Sequence, residues 1–293
     1  MIACRIESMR KGMKSMKIIF LDADGTLFHP KGFIPTSAKE AIYKAQANGH
    51  KIILCTGRQK SEIYGDLTSI EYDGVVLGSG ALVMAKDTIL KDVAFSQKQK
   101  DIIIEYMSSH SIGFFFEMNE GLLINEEGMQ KMEEIYINYC KGLSEEEKKI
   151  NGVTRLYTTV IPTSYEDMKT CNANKVTFLE SDIPFIKIKN DLSDTFDVIP
   201  CTFTPLGKES GELADLHLSK ANGMDVLIEY FNIDRKDVIA IGDGENDIPM
   251  LKNAHVAIAM ENGKESVKKV ADYITSSIDE DGIYNAFKHY NLI

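Results

Sequence analysis

The 293-residue sequence predicts an α/β protein: a doubly wound parallel sheet into which a second, α+β unit is inserted. Three observations carry this. Short apolar runs, KIIFL (17–21), KIILC (51–55) and DVIAI (237–241), each end abruptly in a polar, glycine-containing loop that opens a helical stretch. From about residue 84 to residue 213 that rhythm gives way to hairpin-like runs, GFFFEM with GLLIN and KVTFLE with FIKIK, alternating with helices. The chain is also longer than one ordinary core usually holds.

The elements follow in order. Residues 17–21 are expected to be a buried strand feeding Asp22-Ala23-Asp24-Gly25-Thr26. Thr36 or Ser37 can cap a helix that Gly49 stops after Asn48. A second strand over 51–55 leads into Thr56-Gly57-Arg58 and a helical stretch to about Leu67, and a third at 75–77 ends in Gly78-Ser79-Gly80. Within the inserted unit, 97–109 and 128–140 read as helices, and the polar run 142–149 as a solvated loop or helix end. Parallel order resumes at Lys220 with a helix to about Tyr230, the strand 237–241, the loop Gly242-Asp243-Gly244-Glu245-Asn246-Asp247, a helix through Leu251, and short strands at 256–259 and 273–274. The expected division is a flexible extension over 1–15, a core over 16–83 and 214–293, and an inserted cap over 84–213.

Composition narrows the function. With 44% hydrophobic and 26% charged residues the chain has the balance of a soluble globular protein. A net charge of −11, spread along the chain, repels phosphate backbones and anionic lipid, so neither nucleic acid nor membrane is expected as a partner. Five cysteines without a C-x-x-C pair suggest reduced thiols in a cytoplasmic protein, not a disulfide framework or a zinc site. The first fifteen residues carry Arg5, Arg10, Lys11 and Lys14 but no apolar stretch of the secretory kind, and folding is expected to begin at Met16.

Several residues sit where such a sheet does its chemistry, just outside the carboxyl ends of the strands. Asp22 and Asp24, two apart, share one side if the extended form persists; the plain alternative is a solvated Asp-Gly turn. Thr56 and Gly57 open a helix, where a hydroxyl and free N–H groups suit a phosphate oxygen, against an ordinary capping threonine. Asp243, Asn246 and Asp247 cluster oxygens that suit a hard cation such as Mg²⁺, and the spacing does not match the twelve-residue calcium loop. Lys220 alone reads as a surface lysine.

Together these motifs resemble the haloacid dehalogenase-like (HAD) hydrolases, and within them the Cof-type phosphatases with a large C2-type cap on a Rossmann-like core. The match runs from about Met16 to Phe287: LDADGTL (21–27), CTGR (55–58), Lys220 in LSKANGM, and IGDGENDIPML (241–251). Ala221 stands where glycine is usual after the lysine, and Ser79 where asparagine often stands. The resemblance implies a Mg²⁺-dependent phosphatase of small phosphorylated metabolites that forms an aspartyl phosphate. Asp22 would be nucleophile and metal ligand, Asp24 acid/base with its backbone oxygen on the metal, Asp243 a further ligand and Asp247 a support of the metal site. Thr56, Gly57, Lys220 and Asn246 would hold the phosphoryl group or substrate. A phosphomutase or phosphotransferase of the same superfamily, or a non-catalytic metabolite receptor, are the competing implications, and a monomer or weak homo-oligomer is expected. Arg155, Tyr157, Asn172, Asn174 and Lys175 are polar or aromatic cap positions for which packing is the stronger reading.

Overall fold

The structure, a computed structural model, describes residues 16–201 and 203–293; the expected extension over 1–15 lies outside the described residues. The first five strands are β1 (Ile18–Leu21), β2 (Lys51–Cys55), β3 (Gly74–Leu77), β4 (Leu82–Ala85) and β5 (Thr88–Asp92). The middle six are β6 (Phe114–Glu117), β7 (Leu122–Ile124), β8 (Val160–Pro162), β9 (Lys175–Phe178), β10 (Phe196–Pro200) and β11 (Gly211–Asp215). The last three are β12 (Val238–Gly242), β13 (Val256–Ala259) and β14 (Tyr273–Ile274).

The larger sheet has the order β14-β13-β12-β1-β2-β3-β4-β5. It is parallel from β14 to β3 and antiparallel across β3, β4 and β5. The continuous apolar sequence of β1 follows from burial on both faces: Ile19 and Leu21 enter one core cluster, Ile18 and Phe20 the other. The helix Thr36–Ala47 packs Ala38, Ala41, Ile42 and Ala45 on the first face. The helix Lys220–Tyr230 packs Met224, Leu227 and Ile228 on the second. Leu21 is in register with Leu54 of β2 and with Ile241 of β12, so three central strands finish in one row. Asp22, Cys55 and Gly242 follow in the next row, and the loops carrying Asp24, Thr56 and Asp243 rise from there.

The smaller sheet has the order β10-β11-β9-β6-β7-β8. Phe114, Phe116, Val176 and Phe178 pack on one face of it, and Phe115 with Leu179 on the other. By the two-residue alternation of strands, Glu117, Lys175 and Thr177 share the face of Phe115. Helix Gly152–Thr159, on this second face, brings Arg155 over the ring of Tyr64 of the core, 3.4 Å from its centroid. Ser61 of the core donates to the carbonyl of Met118 at 2.9 Å. The two units therefore meet across the 58–64 segment.

Local elements differ from expectation where pattern misled. The hairpin of β4 and β5 extends the core sheet past residue 83, because Val75, Val76 and Leu77 pair antiparallel with Met84, Val83 and Leu82. FIKIK is not a strand but the start of helix Phe185–Leu192. Its apparent alternation is overridden by Phe185, Ile188 and Leu192, which at spacings of three and four reach one core face after Pro184. The stretch after Arg58 forms only short 3₁₀ turns, 60–62 and 65–69, separated by extended Ile63 and Tyr64. Helix Glu145–Ile150, capped by Ser144, occupies most of the run read as a loop or helix end.

Candidate active site

Asp22 closes β1 with its N–H donated to the carbonyl of Ile241 at 3.0 Å, which ties the loop to the neighbouring strand. Its carboxylate, nearly buried, accepts from Nζ of Lys220 at 2.5 Å. The same ammonium donates to Oδ1 of Asp247 at 2.5 Å. Lys220 is the first residue of its helix, capped by Ser219, and is itself 1% exposed, so no water replaces these two partners. Oδ2 of Asp247 accepts the backbone N–H groups of Asp243 and Gly244 at 3.0 and 2.9 Å. Asp247 thus both folds the 243–247 loop and holds Lys220.

Asp243 accepts from the Thr26 hydroxyl at 2.8 Å. Its carboxylate lies against Gly25, whose φ of +83° and lack of a side chain both matter: a Cβ there would stand 2.4 Å from Oδ2 of Asp243. Asn262 holds the Gly25 carbonyl at 2.8 Å from the far side. Carboxylate oxygens of Asp22, Asp243 and Asp247 all fall within 4.8 Å of one another.

The remaining expected residues are arranged less tightly. Thr56 is buried; its hydroxyl accepts the N–H of Arg58 at 3.1 Å and its own N–H goes to Val76 at 2.8 Å. Gly57 beside it is half-buried. Asn246 is exposed on the rim, its amide oxygen turned toward Gly244. The carboxylate of Asp24 is outside the acidic cluster, 58% exposed, and held by Arg58 through Nε at 2.8 Å and Nη2 at 2.7 Å.

A family profile described as haloacid dehalogenase-like hydrolase matches residues 19–287. The chain belongs to the haloacid dehalogenase-like hydrolases. Among its HAD relatives is the 5-amino-6-(5-phospho-D-ribitylamino)uracil phosphatase YwtE of Bacillus subtilis, 25% identical over 92% of this chain and 96% of that one. A solved HAD subclass IIB sugar phosphatase, BT4131, superposes with a TM-score of 0.76 at 26% identity, covering 95% of this chain and 100% of that one. The chain spans about half the length, 48%, of another curated relative, the chloroplastic endoribonuclease YBEY of Arabidopsis thaliana, to which it is 25% identical over 97% of its own residues. With the family come the expected fold class and the enzyme class, a HAD-like hydrolase.

In this HAD hydrolase the electrostatics indicate what kind of ion the site suits. Burial is the main influence on Asp22 and raises its proton affinity well above the usual carboxylate range; Asp247 and Asp243 add to that and Lys220 opposes it. Asp243 is pushed up to about 6, chiefly by burial, with the Thr26 hydrogen bond working against it and Asp247 with it. Burial disfavours the Lys220 ammonium, but Asp22 and Asp247 outweigh it and raise its pKa. With all three carboxylates ionised, one lysine would leave two negative charges in a largely buried cluster, the charge that a divalent cation balances. An all-oxygen donor set of this kind fits Mg²⁺. Asp22, Asp243 and Asp247 would hold it, the oxygens of Asp247 also accepting from Lys220 and two backbone N–H groups.

Thr26, Asn262 and Arg58 were not among the expected site residues. Thr26 lies within LDADGTL and Arg58 within CTGR; Asn262 carries no signal in the sequence, because its partner Gly25 lies more than two hundred residues away along the chain.

Proposed function

We propose that this hydrolase is a Mg²⁺-dependent phosphatase of small phosphorylated metabolites, sugar phosphates or similar, acting through an aspartyl phosphate on Asp22. The observation that carries the reading is the buried Lys220 bridge between Asp22 and Asp247, at the row where three parallel strands end. A nucleophile must face the phosphorus with one oxygen. Lys220 occupies Oδ1 of Asp22 and so fixes the carboxylate, leaving the other oxygen to attack.

The steps assigned to this chain's residues are as follows. An oxygen of Asp22 forms the new P–O bond in line as the ester P–O bond breaks, and Asp24 gives the leaving alkoxide a proton. Water then attacks the phosphorus, Asp24 takes its proton, and the bond to Asp22 breaks with release of phosphate. Lys220 and Thr56 face the equatorial oxygens where charge accumulates, and Gly57 allows close approach of backbone N–H groups. A bound Mg²⁺ would neutralise the meeting of anionic carboxylate and anionic ester. The inserted unit touches the 58–64 segment beside Asp24 and would supply specificity. The names of the sugar phosphatase and ribitylaminouracil phosphatase relatives support a phosphorylated sugar or polyol moiety in the substrate. Cys55, Cys140, Cys171 and Cys201 are free, which fits a reducing, cytoplasmic setting.

The test is phosphate release from hexose, pentose, glycerol and nucleoside phosphates, with Mg²⁺ or with EDTA, for wild type and Asp22→Asn. Release that needs both metal and Asp22 is expected, with a loss of at least about 10³-fold in the variant. Isomerised sugar without free phosphate would replace hydrolysis by phosphoryl transfer, and saturable binding without turnover would make the protein a receptor.

A further inference from the structure

The Asp24–Arg58 pair is unlike the other ion pairs of the core. It is bidentate, with Nε and Nη2 on the two carboxylate oxygens at 2.8 and 2.7 Å, and the remaining nitrogen, Nη1, donates to the carbonyl of Glu62 at 3.1 Å. The guanidinium lies 5.2 Å from the centroid of Phe28 and 5.1 Å from that of Tyr64, rings that meet edge to face at 6.2 Å. Such a slot leaves the planar fork little freedom, and a lysine could not reproduce it. Arg58 therefore decides where an otherwise exposed carboxylate stands.

The slot does not end in the core. Tyr64 also carries, at 3.4 Å from its centroid, the guanidinium of Arg155 from the helix Gly152–Thr159 of the inserted unit. Extended backbone at Ile63 and Tyr64, between the two short turns, is what lets Tyr64 reach both arginines. A continuous contact thus runs from the cap through Arg155, Tyr64 and Arg58 to Asp24.

We propose that Arg58 is a positioning residue for the acid/base Asp24, and that Arg155, stacked on Tyr64, makes this positioning depend on the cap being seated on the core. The proposal rests on the assignment of Asp24 as proton donor given above. Asp24 must bring a proton to the leaving alkoxide, and a clamp that fixes an otherwise exposed carboxylate removes the freedom it would lose in reaching that oxygen. An ester whose leaving group departs as a stable anion does not need that proton.

The experiment compares kcat/KM, which covers the steps through departure of the leaving group, on p-nitrophenyl phosphate and on the best alkyl phosphate of the panel. Arg58→Ala is expected to lose about 10–100-fold on the alkyl ester, part of the usual contribution of a placed acid, and at least tenfold less on the aryl ester. The loss on the alkyl ester should fall in kcat more than in KM, and Arg58→Lys should not restore it. Arg155→Ala should show the same selectivity to a smaller extent, and the double variant should lose less than the product of the two single losses. Equal losses on both esters, or rescue by lysine, would overturn the positioning role. Multiplicative losses, or an unchanged ester ratio in Arg155→Ala, would overturn the link to the cap. Wild-type turnover abolished by Asp22→Asn is the control: if that fails, the parent mechanism fails, whereas a uniform loss in Arg58→Ala with the control intact removes only the clamp.

Discussion

Replacing Lys220 by methionine tests the electrostatic account of the site most directly. The side chain is 1% exposed and its ammonium makes two short bonds, to Asp22 and Asp247. Methionine keeps much of the volume and none of the charge, so the cost comes from leaving carboxylates buried without their cation. Removing one partner of a buried pair costs about 3–5 kcal/mol. For a chain of this size, unfolding entropy near 60 °C is on the order of 0.6 kcal/mol per degree, so Tm should fall by roughly 5–8 °C. Thermal unfolding followed by circular dichroism in EDTA measures this. Mg²⁺ should raise the Tm of the variant more than that of wild type, because it supplies the missing positive charge. Phosphate release should fall by at least about 10²-fold even with Mg²⁺ present, since the fixed donor to Asp22 is gone. A Tm within about 1 °C of wild type in EDTA would mean that the lysine does not hold the acids together, and the reading of Asp247 as its anchor would be withdrawn.

Two further outcomes are expected. Thr26→Val removes the hydroxyl that orients Asp243 and should weaken Mg²⁺ binding by about 10–100-fold, read by titration calorimetry or by the metal dependence of Tm, with no large change in stability in EDTA. Glu117, buried in the smaller sheet beside Lys175 and Glu212, is raised from 4.5 to about 8, mainly by burial, with Lys175 opposing and Glu62 and Glu212 adding to the rise. The folded state therefore keeps a proton that the unfolded chain gives up above pH 4.5, and stability should fall as pH rises from there through about 8. A gap of that size corresponds to at most about 5 kcal/mol. Glu117→Gln should flatten the decline in denaturant midpoints between pH 5 and pH 8, and an unchanged slope would place the pH dependence elsewhere.

Much of the protein was determined by local sequence. Apolar runs as short as KIIFL and KIILC announce strands buried on both faces, and the change of loop or helix signal at each of their ends marks where polar groups can emerge. That is why Asp22, Thr56 and Asp243 could be named as a group, and why the family follows from four motifs in order. The inserted unit was legible as a change of rhythm, but not its extent: β4 and β5 belong to the core sheet through pairing with β3, and nothing in TILKD says which neighbour it will find. FIKIK shows the same limit, since an alternation of five residues is compatible with a strand until Leu192 and the packing of Phe185 and Ile188 settle the helix.

Tertiary structure alone decided which charges face each other. Lys220 reads as a surface lysine by itself and becomes the most buried cation of the site only because its helix starts where β1 and β12 finish side by side. Asp247 resembles Asp243 in the sequence, yet one spends both oxygens on Lys220 and two backbone N–H groups, while the other keeps its carboxylate against Gly25 and Thr26. Asp24 stands two residues from Asp22 and leaves the cluster altogether for Arg58. Residue type and strand ends set the inventory of chemical groups. Their pairing depends on distances between segments far apart in the chain, and a local pattern holds no record of those distances.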